Sequence, residues 1–281
     1  MIITARSLPP PVRRVARQIL RRRMLTRKPP ECPPGWQVGP PDFVGMGVQK
    51  AGTSWWHGLI LDHPEVTRVP GQMKELHFFD EGHARSFTPA DSKRYHSFFP
   101  RPPGGKTGEW TPRYLPDFWT HHELRLAAPE TKILILLRDP IERYRSGVTH
   151  EVNRGDRHRP IVALEAMYRG LYHLQLSALL RHFPREQVLV LQYEQCRRDA
   201  LPQLARTYEF VGVQDVNYVP QRLHEMVNTT PSAKIPLPTQ VQEELKAFYE
   251  PGVLSLVEDF PDINLRLWPN FSHLAGGGAQ A

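Results

Sequence analysis

Phe43-Val-Gly-Met-Gly-Val-Gln-Lys-Ala-Gly-Thr-Ser-Trp-Trp-His57 decides the fold of this 281-residue chain. Its apolar start reads as a buried strand that turns through glycine straight into a helix. Gly52 allows a tight backbone with its amides turned inward, and Thr53 and Ser54 add hydroxyls where the helix begins. A helix N-terminus offers unpaired N–H groups and the positive end of its dipole, so the turn is an anion cradle. The nucleoside-triphosphatase loop is GxxxxGK[ST], with lysine directly after the last glycine and then a hydroxyl that holds Mg²⁺. Here Gly47 and Gly52 frame the loop, Thr53 stands where that lysine belongs, and Lys50 lies inside the loop. The stretch predicts a phosphate-like ligand held without the triphosphatase arrangement.

Lys132-Ile-Leu-Ile-Leu-Leu-Arg138 is a continuous apolar run ending in arginine, the pattern of a strand buried on both faces. Asp139 and Pro140 follow in the order of an N-cap and first helical turn, and a helix continues through Ile141-Glu-Arg-Tyr-Arg-Ser146. Arg138 therefore falls at a strand's carboxyl end, where open parallel sheets bind ligands. Ser146, two turns into the helix, shares that ligand if the strand–helix turn folds back. Between these two stretches lies Lys74-Glu-Leu-His-Phe-Phe-Asp80. A carboxylate at Glu75, beside Lys74 and His77 and leading into Phe78 and Phe79, is suited to partial desolvation and tuning as a proton acceptor. Alternation places Glu75, His77 and Phe79 on one face if the segment is extended.

In order and spacing these stretches resemble the motifs of sulfotransferases that use 3′-phosphoadenosine 5′-phosphosulfate (PAPS), in particular the heparan-sulfate-type, glycan branch. Lys50-Ala-Gly-Thr-Ser-Trp-Trp56 resembles their 5′-phosphosulfate loop, which implies donor contacts at Lys50, Ala51, Gly52, Thr53 and Ser54. Arg138-Asp-Pro140 and its helix resemble the 3′-phosphate motif, whose serine stands at the offset of Ser146. The 74–80 segment is similar to the branch's glutamate-containing segment. That similarity makes Glu75 the general base, with His77 both its orienting partner and its rival for the role. Gly108-Glu-Trp-Thr-Pro-Arg-Tyr-Leu115 matches the branch's next strand and turn, often Glu-Lys-Thr-Pro-x-Tyr. Trp110 replaces that lysine, which puts a lysine-assisted role there in doubt and exchanges a charge for an apolar surface. Trp110, Arg113 and Tyr114 are the acceptor-contact candidates. Family members often close a loop over the nucleotide near residue 234, which makes Lys234 a phosphate contact. The resemblance runs from about Phe43 to Val213 and fades beyond Asn217.

The resemblance implies a P-loop-like three-layer α/β fold, a central parallel sheet flanked by helices, in a bacterial-like soluble member of the branch. The implied reaction is sulfuryl transfer from PAPS to an acceptor hydroxyl, carbohydrate or glycolipid-like. Lys50 would stabilise the leaving phosphate, PAP would be the product, and no metal would take part. Two other readings stay open: an ATP-dependent P-loop kinase requiring Mg²⁺, and a non-catalytic, membrane-associated nucleotide-binding protein.

Composition narrows the partners. With 40% hydrophobic and 10% aromatic residues, the chain can form one large α/β domain. Two cysteines, Cys32 and Cys196, form no disulfide framework and lack metal-ligand spacing, a usage that fits a reducing cytosol. The net charge of +7 is unevenly placed. Residues 1–30 hold nine basic residues and no acid; the other 27 of the 36 basic residues face 29 acidic ones, so the body is near −2. That body offers no polyanion track, so nucleic acid is not an expected partner. The resemblance implies a glycan acceptor, while Trp110 and the weakly acidic body lean toward a small-molecule or glycolipid-like one. The basic segment at residues 6–28 either rests on anionic lipid as a short amphipathic helix or is a solvated arm. Its apolar run is too short for a signal-peptide core or a transmembrane helix. The expected location is cytoplasmic, with peripheral membrane contact only on the first of these two readings of residues 6–28.

Three regions follow: a basic, Pro-rich tail and linker over 1–40, the catalytic domain over 41–271, and a flexible tail over 272–281. Within the domain, helices are expected over 53–62, near 117–128, from 140 to about 153, over 161–182, from 193 to about 211 and over 239–258. A further strand is expected over 187–193, and an extended path over 64–80.

Overall fold

The computed structural model describes residues 28–276, apart from 70, 72, 81, 154–159, 224 and 226–233. A short antiparallel pair, β1 (Gln37–Val38) with β3 (Pro100–Arg101), lies outside the main sheet. The main sheet holds β2 (Phe43–Gly47), β4 (Gly108–Trp110), β5 (Lys132–Leu137) and β6 (Val188–Gln192), all parallel, in the order β4-β2-β5-β6. All of β2 and all of β5 beyond Lys132 are buried. Strands closed on both faces need covering layers, and the connecting helices supply them. These are α1 (Thr53–Leu61), α2 (Pro89–His96), α3 (Trp119–Ala127), α4 (Pro140–Asn153), α5 (Pro160–Tyr168), α6 (Tyr172–Leu179), α7 (Tyr193–Arg198), α8 (Ala200–Val211) and α9 (Thr239–Asp259).

Strand order places the site. From β2 the chain goes to β4 on one side, then crosses to β5 and β6 on the other. The direction reverses between β2 and β5, and the crevice at that switch point is where open α/β sheets bind ligands. Both stretches expected to bind anions leave the sheet there.

Several expectations are corrected. The helix expected over 161–182 is two, α5 and α6. Tyr249 Oη donates to Met167 O at 2.8 Å and Gln175 Nε2 to Tyr168 O at 2.7 Å, so side chains satisfy the carbonyls where α5 ends. The helix expected from 193 to 211 also breaks in two, at Asp199. Among its described residues, segment 64–80 forms no strand beyond a single parallel bridge from Val66 to Lys106, and His77 has φ 53, so the simple alternation of Glu75, His77 and Phe79 does not apply.

Inside the expected linker, Gln37 and Val38 pair with β3. Within the expected C-terminal tail, Ser272–Gly276 forms a short 3₁₀ segment. The segment before it is tied down. Asn270 donates from N and Nδ2 to the Asp139 carboxylate at 3.0–3.1 Å, and Trp268 Nε1 donates to Glu194 Oε2 at 3.0 Å. Except for Lys28, the basic segment at 6–28 lies outside the described residues, as do residues 277–281. Among the described residues no helix is long and apolar enough to cross a membrane.

Candidate functional site

The loop after β2 turns into α1 at Gly52, whose φ is 84. A Cβ there would stand 2.6 Å from the Tyr193 ring, so only glycine suits the conformation and the space. Lys50 has φ 72, a region that residues with side chains rarely enter and that recurs at ligand clamps. Its carbonyl accepts a hydrogen bond from Arg138 Nη1 at 3.1 Å. The Arg138 guanidinium also lies over the Tyr193 ring, 5.1 Å from its centre. Two stretches that are distant in sequence thus share one wall, and Tyr193 packs beneath both.

From the loop a line of alternating charges runs outward. Lys74 Nζ donates to Thr53 Oγ1 at 3.0 Å, to Ser54 Oγ at 3.1 Å and to Glu75 Oε1 at 3.1 Å. Glu75 Oε2 lies 3.3 Å from His77 Nε2, and His77 Nδ1 lies 3.0 Å from Asp80 Oδ2. Asp80 faces Arg113 at 3.7 Å, and Arg113 pairs with Asp117 at 2.7 Å.

The charges tune one another. Burial opposes the charged form of His77, but hydrogen bonds and charges from Asp80 and Glu75 outweigh it, and its pKa is pushed up to about 9. Burial likewise opposes ionised Glu75, yet His77 and Lys74 hold its carboxyl below the usual range. Burial lowers the Lys74 ammonium against the pull of Glu75.

The 74–80 segment has no secondary structure of its own, so β4 and the turn after it hold it. Trp110 N donates to Lys74 O at 2.8 Å, and Leu76 N donates to Glu109 Oε2 at 3.0 Å. His77 N reaches Thr111 Oγ1 at 3.4 Å, and Phe78 N reaches the Tyr114 hydroxyl at 2.7 Å. Glu109 is fully buried, and burial raises its carboxyl despite bonds from Thr111, Leu76 and Tyr95.

Trp110 and Tyr114, read from sequence as acceptor contacts, are both 0% exposed. The Trp110 ring packs where a Gly45 side chain would be, and its Nε1 donates to Gly47 O at 3.1 Å. Both are therefore corrected to supports of the site rather than surfaces within it. Arg113 keeps 39% of its side chain exposed, at the outer end of the charge line.

The other half of the site lies along α4. The Glu142 carboxylate accepts from Lys234 Nζ and from Arg145 Nη1, the latter at 2.8 Å, and lies 3.7 Å from Arg138 Nη2. Ile235 N donates to Thr149 Oγ1 at 3.0 Å, which docks the 234–235 segment on the same helix. Ser146 is buried on α4, 6% exposed. Arg138, Arg145 and Lys234 make this half cationic, with one carboxylate among them. The structure thus gathers Lys50, Ala51, Gly52, Thr53, Ser54, Glu75, His77 and Arg138 around the switch point, with Ser146 and Lys234 farther along α4. Sequence reasoning missed Lys74 as a loop partner, and Asp80, Tyr193 and Arg145 entirely. Only Asp80 had a local signal, standing three residues after His77.

The model of the sulfotransferase domain matches residues 40–236, and the chain belongs to that family. Mouse heparan sulfate glucosamine 3-O-sulfotransferase 3B1 is 27% identical over 191 residues, 63% of this chain and 47% of its own length. Human heparan sulfate glucosamine 3-O-sulfotransferase 6 is 28% identical over 190 residues, 63% of this chain and 53% of its own. The chain spans about half the length of the curated relatives it matches. A solved sulfotransferase from Alicyclobacillus acidocaldarius is similar in fold, with TM-score 0.60 and 26% identity, covering 79% of this chain and 96% of that one.

Proposed function

We propose that this protein transfers a sulfuryl group from PAPS to a hydroxyl of a carbohydrate or carbohydrate-bearing lipid, with Glu75 as general base. The observation that carries the reading is the Arg138 bond to the Lys50 carbonyl, which brings the two stretches expected to bind anions against one another. The residues fit such a donor. Loop amides, Lys50, Thr53 and Ser54 suit its 5′ end, while Arg138, Ser146, Arg145 and Lys234 suit a 3′-phosphate.

Once bound, PAPS supplies an activated sulfuryl group; positioning and charge stabilisation fall to the chain. Glu75 stays ionised because Lys74 and His77 each hold one of its oxygens, so it accepts the hydroxyl proton. His77, with its pKa near 9, already carries a proton at neutral pH and serves to orient Glu75. Lys50 neutralises charge on the departing phosphate.

The kinase reading loses support because the loop hydroxyls that would face Mg²⁺ accept instead from Lys74. Glycan acceptors are supported by the named activities of the mouse and human relatives. The free Cys32 and Cys196 suit the cytoplasmic placement we propose. The test is transfer of labelled sulfate from PAPS onto extracted glycans and lipids, beside phosphate transfer from ATP–Mg²⁺. Labelled phosphate in the products, with no labelled sulfate, would overturn the proposal.

A further inference from the structure

Lys74 carries three hydrogen bonds at its ammonium, which uses every donor it has. Two go to the loop hydroxyls and one to the Glu75 carboxylate, so the ammonium bridges the donor cradle and the base. A group passing from one to the other must cross this point. In a triphosphatase loop the corresponding hydroxyl holds a metal cation; here a side-chain cation occupies that position.

The backbone N–H of Trp110 donates to the Lys74 carbonyl at 2.8 Å. Positions 74 and 110 are therefore neighbours across two segments. Only 20% of the Lys74 side chain is exposed, and a partly desolvated cation acts more strongly on a nearby anion than one in water. Tethering the segment does not require this side chain, since four backbone-anchored bonds from residues 109–114 already do that.

We propose that Lys74 is a catalytic residue that contacts the sulfuryl group in transit between the loop and Glu75, an inference that rests on the sulfotransferase reading. In that step the acceptor oxygen bonds to sulfur. The bond from sulfur to the bridging oxygen breaks, its electron pair leaves on the phosphate of PAP, and the hydroxyl proton goes to Glu75. Lys74 keeps its proton throughout and exchanges the Thr53 and Ser54 hydroxyls for sulfuryl oxygens.

The experiment compares Lys74→Met, Lys74→Gln and Lys74→Arg with the parent in turnover, in PAP affinity by calorimetry and in melting temperature. Met should lower kcat by about 10²–10³-fold, the loss seen when one stabilising donor is removed. PAP affinity should stay within about twofold, because PAP lacks the transferred group, and Arg should recover part of the rate. Should Met fold poorly, Gln keeps hydrogen bonding to the loop hydroxyls, removes only the charge, and carries the same readout. Near-parental turnover in both neutral variants overturns the role of Lys74 while leaving the function standing. Equal losses in kcat and PAP affinity also overturn it, marking Lys74 as a donor-binding group. Failure of the parent itself to bind PAP removes the functional reading beneath it.

Discussion

The loop at 47–54 and the segment at 74–80 face each other across the site but are held by different means. The loop inherits its shape from its neighbours in sequence: a buried strand before it, a helix after it and Gly52 at the hinge. The segment has no regular structure, and its backbone donors end on Glu109, Thr111 and Tyr114 from another strand and turn. The turn of the loop is a property of local chain geometry. The placement of Glu75 depends on a buried polar cluster assembled from a distance.

Substitutions can break this comparison, and the largest effect is expected at Glu75. Glu75→Gln should cut kcat by about 10²–10⁴-fold with PAP affinity nearly intact; normal turnover would move the base elsewhere. Arg138→Ala acts on the other half and should weaken PAP binding by about 1.5–3 kcal/mol, measured by calorimetry. Unchanged affinity there would remove the 3′-phosphate assignment.

Glu109→Gln tests the long-range support. Its amide would meet donors with a donor, lowering stability by about 1–3 kcal/mol in a denaturant titration. Turnover should fall while PAP affinity holds. A loss of PAP affinity instead would show that the two halves are not separately supported.

The smallest effect is in pH dependence. His77 is held above its ordinary 6.5, at about 9, so its pairing with Asp80 and Glu75 is complete below 6.5 and lost as pH rises through 9. An alkaline limb of kcat is expected near pH 9 and should disappear in His77→Asn. Glu75 is held below its ordinary 4.5, which places the acid limb below that value. A limb unmoved by His77→Asn would assign it to another group.

What was legible in the sequence follows the same division. The strand–turn–helix units at 43–61 and 132–153 showed themselves because period, glycine and proline signals all lie within a few turns. Glu75 was singled out through resemblance, with Lys74 and His77 beside it. The link from Lys74 to the loop left no local signal, because its partners Thr53 and Ser54 stand 21 and 20 positions away. Trp110 and Tyr114 were acceptor-contact candidates because they stand in the 108–115 stretch that matches the branch's strand and turn. Their burial depends on the bare backbone at Gly45 and on the Glu109 cluster, and neither leaves a mark in the local pattern.

The clasp between Asn270 and Asp139 reaches beyond the family match, which stops at residue 236. Asp139 is 0% exposed and begins the helix behind Arg138, with Ile141 N and Glu142 N donating to its Oδ1. A chain shortened at the match boundary would lose α9 and uncover that carboxylate next to Arg138. The homologous span and the folding unit therefore differ in length, and any trimming of this protein should follow the second.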